Sequence, residues 1–205
     1  LAPIRPTGTC VILRVLRAAT CLVFGLIAAA SASHADEQAA WTALRQGGHV
    51  ALMRHADAPG SAGDPPGFKL EDCATQRNLS AEGRAEAVRF GTKLKGERVA
   101  IERVLSSPWC RCTETATLME IGVVEIEATF SNAFSLADQR AALAEGARRI
   151  IAGWKGPGAL LVSTHGANIL AVTGISPASG EIVVVAPNGV APPRVIGRIP
   201  VPRPG

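Results

Sequence analysis

Three short segments of the 205-residue chain set imidazole or guanidinium groups just beyond an apolar run: Leu52-Met53-Arg54-His55, Leu105-Ser106-Ser107-Pro108-Trp109-Cys110-Arg111, and Leu161-Val162-Ser163-Thr164-His165-Gly166. Two arginines and two histidines converging on one pocket make a site for a dianion, because guanidinium groups present planar, paired donors that match phosphate oxygens. Neutral imidazole is a competent nucleophile near neutral pH. His55 would attack phosphorus in line and carry a phosphohistidine. Arg54, Arg111 and His165 would stabilise the oxygen charge that the transition state spreads. Water would then release phosphate, and the scheme requires no metal or other cofactor. Each segment alone is a weak signal; the ordered triple is far more specific.

The elements that must position these groups follow from periodicity and punctuation. Residues 37–46 predict a short helix, stopped by Gly47-Gly48. His49 to Met53 predicts a buried strand, with His49 in a structural role at its start. Residues 56–79 hold Pro59, Gly60, Gly63, Pro65, Pro66 and Gly67 and predict a long loop. Ser80 is expected to cap a helix running to about Lys95. Val99 to Leu105 is a second strand candidate, and Pro108 in the first helical position would open a helix from Trp109 to about Ile121. Strands are expected at Val123 to Ile126 and Ala159 to Val162, and helices at 137–153 and from Asn168 to Val172. Two further apolar runs, Glu181 to Val185 and Arg194 to Ile199, end the pattern. This alternation predicts an α/β fold, with a mostly parallel sheet covered on both faces. Ligands of such sheets bind outside the carboxyl ends of the strands, where the three segments would deliver Arg54, His55, Arg111 and His165.

The first 35 residues read as a signal peptide: Arg5, Arg14 and Arg17 without an acid, an apolar run from Cys21 to Ala30, then small residues offering cleavage after Ala32 or Ala35. That run is short for a membrane span, so no stable anchor is expected after cleavage, and the protein would be periplasmic or secreted. Losing three arginines and no acid leaves 18 basic against 17 acidic side chains, a net charge of +1. The basic residues are scattered, so nucleic acid is not an expected partner. The exported domain, residues 36–199, would be followed by a disordered tail at 200–205. It would keep Cys73, Cys110 and Cys112, which allows one disulfide in an oxidising compartment and leaves one thiol.

Arg54-His55-Ala56 resembles the Arg-His-Gly signature of the histidine phosphatase superfamily, also called phosphoglycerate mutase-like. Ser106-Ser107-Pro108 with Arg111 and Glu114-Thr115-Ala116 resembles that family's Ser-Ser-Pro-x-x-Arg-x-x-Glu-Thr-Ala block, and His165-Gly166 its second histidine. Cys73-Ala-Thr-Gln-Arg-Asn-Leu-Ser80 followed by Gly83 resembles exported bacterial members. The resemblance implies a three-layer α/β/α sandwich, His55 as nucleophile, and Arg54, Arg111 and His165 as phosphate ligands. Ala56 stands where the family has Gly, which matters only if the backbone there needs a positive φ. The family's general acid comes from another loop; Asp57 and Glu181 are the leading candidates here, with Glu125 and Glu127 behind them. Glu114 is expected to orient Arg111 from one turn away. If the loops flanking Cys73 and Cys110 both border the pocket, as the resemblance implies, these two sulfurs meet; Cys112 is the rival partner for Cys73. The expected activity is metal-independent phosphomonoester hydrolysis. The substrate class stays open among a phosphorylated small molecule, an envelope sugar phosphate and a phosphoprotein. The alternatives are a phosphate-binding module without turnover and a phosphomutase. About 170 residues leave little room for a capping domain, so an open pocket is expected.

Overall fold

The computed structural model describes residues 36–60, 63–189 and 192–203. The expected signal peptide and the last two residues of the tail lie outside the described residues. Among the described residues, no helix is long and apolar enough to cross a membrane.

Helix α1, described over 36–46, leads into β1 (Val50–Arg54). The long loop follows, holding one 3-10 turn at Cys73–Thr75, and then α2 (Ala81–Gly96). Next come β2 (Ile101–Ser106), α3 (Cys110–Leu118), β3 (Val124–Ile126), α4 (Arg140–Gly153), β4 (Ala159–Thr164), α5 (Gly166–Thr173), β5 (Ile182–Ala186) and β6 (Arg194–Ile199). The strands form one sheet in the order β3-β2-β4-β1-β5-β6. The first four of these are mutually parallel, while β5 is antiparallel to both β1 and β6.

Strand alternation sends successive side chains to opposite faces. Ala51 and Met53 of β1, with Leu161 and Val184, pack on one face beneath Leu44 of α1, Phe90 and Leu94 of α2, and Ala116 and Met119. Val50 and Leu52, with Leu160, Val162, Val183 and Val185, pack on the other face against Ala147 and Ile151 of α4 and Ile169 and Val172 of α5. The fold is thus a three-layer α/β/α sandwich, with α1 to α3 on one face and α4 and α5 on the other.

Several boundaries differ from the sequence reading. Pro108 lies before the helix instead of opening it: Trp109 is the N-cap in an extended conformation, and α3 begins at Cys110. The Trp109 side chain is held by the long loop, its indole N–H donating to Asp64 Oδ2 at 3.0 Å. Helix α3 ends at Leu118 rather than near Ile121, with Glu120 at positive φ. Residues 137–139 form a separate 3-10 turn before α4. Ser80 caps α2 as expected, its Oγ accepting from Gly83 N–H at 2.9 Å. In the described part of the tail, Val201 packs against the first core and Arg89 Nε donates to Pro202 O at 3.2 Å.

Candidate active site

Register brings the two histidines together. Strands β1 and β4 are parallel with Arg54 opposite Thr164, so the next residue of each strand is a histidine. His55 N–H donates to Thr164 O at 2.9 Å, and the two imidazole rings meet edge-on with centroids 5.6 Å apart. On the other side of β4, β2 pairs Ser106 with Ser163, and Ser107 N–H donates to Ser163 O at 2.9 Å. The ends of three adjacent parallel strands therefore open into one cleft of about 230 Å³, lined by Arg54, His55, Arg77, Arg111 and His165 among others. That is smaller than the ~300–1,000 Å³ of sites that enclose a drug-sized ligand. It suits a compact anionic head group, with the remainder of a ligand at the open mouth.

Each group is held by its neighbours. His55 Nδ1 lies 2.9 Å from Ala56 O; a carbonyl only accepts, so Nδ1 carries the proton and Nε2 keeps its lone pair. Ala56 N–H donates to Thr115 Oγ1 at 3.1 Å, and Thr115 Oγ1 donates to Arg111 O at 2.6 Å, tying the His55–Ala56 segment to α3. Ala56 is not among the residues with positive φ, so its methyl group fits where the family has Gly. Arg54 Nη1 donates to Pro177 O at 3.0 Å. The stem of Arg54 crosses the start of α5, where a Cβ on Gly166 would stand 3.4 Å from Arg54 Cδ; glycine leaves that passage open. His165 Nε2 lies 2.8 Å from Ser107 Oγ, while Arg111 Nη2, which can only donate, lies 3.5 Å from His165 Nδ1. His165 Nε2 therefore carries the proton.

Arg111 is fully shielded and its Nη1 donates to Asp64 Oδ1 at 2.6 Å, with the Asp64 side chain equally shielded. Asp64 also accepts from Arg77 N–H at 3.1 Å. Burial alone would raise the Asp64 pKa, but Arg111 outweighs it and holds the carboxyl ionised, below its ordinary value. Arg54 and Arg111, both lining the cleft, each keep a buried Nε–H with no acceptor among the described residues.

Burial, followed by the positive charges of Arg111, Arg77 and Arg54, pushes His55 down to about 3 despite its bond to Ala56. Burial and the same cations hold His165 well below its ordinary value. Both imidazoles are neutral at pH 7. Three guanidiniums face one carboxylate, and the first turn of α5 adds its positive end. The cleft carries net positive charge and favours a dianion.

The structure gathers Arg54, His55, Arg111 and His165, but it places the expected carboxylates elsewhere. Asp57 Oδ2 accepts from Ser80 Oγ at 2.6 Å at the start of α2. Glu181 is buried, bonded to Arg198 and to Ala178 N–H at 2.7 Å. Glu125 pairs with Arg103 at 2.7 Å on the sheet edge, and Glu127 caps the 3-10 turn at Ala128–Phe130. None of the four lines the cleft. Glu114 binds Arg84 at 2.6 Å and not Arg111; the partner of Arg111 is Asp64. Arg77 and Asp64 were not legible as site residues. Both come from the long loop, where sequence spacing carries no geometric information; Arg77 stands inside the Cys73-to-Ser80 segment that carried part of the resemblance, and Asp64 had no signal beyond the loop punctuation around it. Cys73 and Cys110 form a disulfide, and Cys112 is a buried thiol with Sγ 3.5 Å from His165 Nε2. His49 Nδ1 bonds Gly47 O at 2.7 Å, away from the cleft.

Comparison with known proteins gives a consistent picture. Residues 50–135 match the model of the histidine phosphatase superfamily (branch 1). Among solved structures, the product of a Mycobacterium tuberculosis open reading frame is similar with a TM-score of 0.53 and 17% identity, over 72% of this chain and 94% of that one. A SixA protein from Nakamurella multipartitia gives 0.51 and 17% identity over 75% and 95%. A mycobacterial glucosyl-3-phosphoglycerate phosphatase gives 0.50 and 16% identity over 67% and 89%. At these identities the likeness is one of fold. No curated protein sequence matches the chain.

Proposed function

With residues 50–135 matching the histidine phosphatase superfamily and that superfamily's fold around them, we propose that the chain is an exported phosphomonoesterase working through a phosphohistidine on His55. The observation that carries this reading is the His55 ring: Nδ1–H is committed to Ala56 O, and burial keeps the ring neutral, so Nε2 is an available nucleophile beside two arginines.

In the proposed reaction Arg54, Arg77 and Arg111 hold the phosphoryl oxygens, and His55 Nε2 attacks phosphorus. The P–N bond forms as the ester P–O bond breaks, and its electron pair leaves on the ester oxygen. A bound dianion offsets the three guanidiniums and favours a proton on His165, which can then donate to a phosphoryl oxygen, while His55 Nε2 keeps its lone pair for the attack. Among the described residues the nearest site carboxylate, Asp64, is committed to Arg111, so in this reading the leaving oxygen takes its proton from solvent. Water then attacks the phosphohistidine, the P–N bond breaks, its pair returns to Nε2, and orthophosphate departs. Export is supported by the basic, apolar and small-residue pattern of residues 1–35, and by a disulfide that an oxidising compartment would sustain.

Replacing His55 by Ala should lower hydrolysis of an aryl phosphate by at least about 10³-fold and abolish acid-labile labelling by ³²P-substrate. Turnover near the wild-type rate in that variant would refute the assignment.

A further inference from the structure

Beyond the anion-binding floor, the cleft has a wall of a different kind. Phe134 and Leu170 line the same cleft as His55 and Arg111, and they are 52% and 48% exposed. Both are apolar, both stand at the mouth, and neither is covered by the two cores.

This wall is built rather than incidental. Phe134 N–H donates to Asn132 Oδ1 at 3.0 Å, and Asn132 Nδ2 donates to Ser135 Oγ at 3.0 Å, which fixes the turn presenting the ring. The segment is tied to α5 by buried Asn168, whose Nδ2 donates to Ser131 O at 2.7 Å and whose Oδ1 accepts from Ala133 N–H at 3.1 Å. Asn168 lies two residues before Leu170, so one side chain locks together the two strips that carry the apolar pair. The ring edge also rests against the long loop: a Cβ on Gly63 would stand 3.3 Å from Phe134 Cε1. Asn132, the amide lining the cleft, has both ends engaged in holding this turn. Sugar hydroxyls need paired polar groups at such a position, whereas apolar groups gain from covering exposed carbon.

We propose that Phe134 and Leu170 determine specificity, selecting phosphate esters whose leaving group carries an aromatic or bulky apolar moiety near the ester oxygen. The proposal rests on the phosphatase reading of the same cleft and deepens it by naming the substrate class. In the bound ester, the phosphoryl group sits among the arginines and the leaving group lies along the Phe134–Leu170 wall.

Two ligand pairs test it on the full folded domain. Phenylphosphonate and methylphosphonate are not hydrolysed, and calorimetry reads their binding without any turnover. Ethyl phosphate and 2-phenylethyl phosphate have similar leaving-group basicity, so the ratio of their kcat/KM values reads recognition rather than reactivity. The phenyl member of each pair should be favoured by about tenfold or more, as expected for an apolar contact of this size. Phe134→Ala and Leu170→Ala should each lower that ratio, the double variant should bring it near one, and Phe134→Leu should keep part of it. Equal binding of the two phosphonates by the wild type, or a preference that survives the double variant, would overturn the proposal. A phosphonate preference that depends on Phe134, in a protein that hydrolyses neither ester, would support the wall while counting against the phosphatase reading.

Discussion

Asp64 and Arg111 form a fully shielded ion pair at the back of the cleft, and its geometry decides how Arg111 can act. Nη1 and Nη2 both face the carboxylate, at 2.6 and 3.3 Å, while Nε has no acceptor among the described residues. Asp64 therefore orients the guanidinium and offsets part of the cost of burying it. Breaking such a pair from one side leaves an uncompensated charge, typically costing about 3–5 kcal/mol. Asp64→Asn should lower the unfolding free energy by an amount of that order and weaken orthophosphate binding; unchanged thermal and denaturant midpoints would show that the pair contributes nothing. The histidines make a second prediction at this scale. Their folded pKa values lie below the unfolded value, near 3 for His55. Between about pH 6.5 and pH 3 the unfolded chain binds more protons, so stability is present above that window and is lost as pH falls through it. The slope should reach about 1.4 kcal/mol per pH unit for each histidine. Denaturant titrations of the ligand-free protein at pH 7, 6, 5 and 4 check this. Phosphate should flatten the dependence, and a pH-independent midpoint would contradict it.

At the scale of elements, the decisive one is the long loop between β1 and α2. It contributes Arg77 and Asp64 to the site and has little apolar burial of its own. Polar bonds and one covalent tie hold it: Arg77 Nε donates to Gly63 O at 2.9 Å, Arg77 also bonds Ala58 O, and Cys110 N–H donates to Gln76 Oε1 at 3.0 Å. The disulfide joins residues 37 apart and fastens the loop to the first turn of α3, next to Arg111. On the chain-entropy model, closure of that length stabilises the fold by up to about 4 kcal/mol. Cys73→Ser should lower the melting temperature and raise the inhibition constant of orthophosphate, because Gln76 and Arg77 follow directly on the freed turn. Reductant should move the wild type to the same values and leave the variant unmoved. If reduction shifts neither property, the disulfide does not hold the loop against the cleft.

At the scale of the molecule, the described residues form a three-layer sandwich whose cleft has a cationic floor and half-exposed Phe134 and Leu170 in its lining, which suits the proposed phosphoryl group with its leaving group toward solvent. The proposed export is tested on the whole chain. Expressed from its full sequence in a bacterium, the chain should be recovered from the periplasm with its first 32 or 35 residues removed and Cys73 linked to Cys110. An unprocessed cytoplasmic protein with three free thiols in the domain would overturn the export reading.

The sequence by itself determined the strand ends. Apolar runs closed by Arg54-His55, Ser106-Ser107 and His165 specify which residues lie at the carboxyl edge of a parallel sheet, because strand periodicity and sheet polarity are local consequences of side-chain pattern. The spacing of Ser106, Arg111 and Thr115 was readable for the same reason, since they span a strand end and one helix. Helix boundaries were less so: α3 starts at Cys110 with Trp109 as an extended N-cap, its indole bonded to Asp64, a residue 45 positions away. Only the tertiary structure decided the partner of Arg111, the entry of Arg77 into the cleft, the removal of Asp57 and Glu181 from it, and the placing of Phe134 and Leu170 in its lining. Each of these depends on where a loop without periodicity crosses the sheet edge. That course is set by long-range hydrogen bonds and a disulfide, which no local pattern encodes.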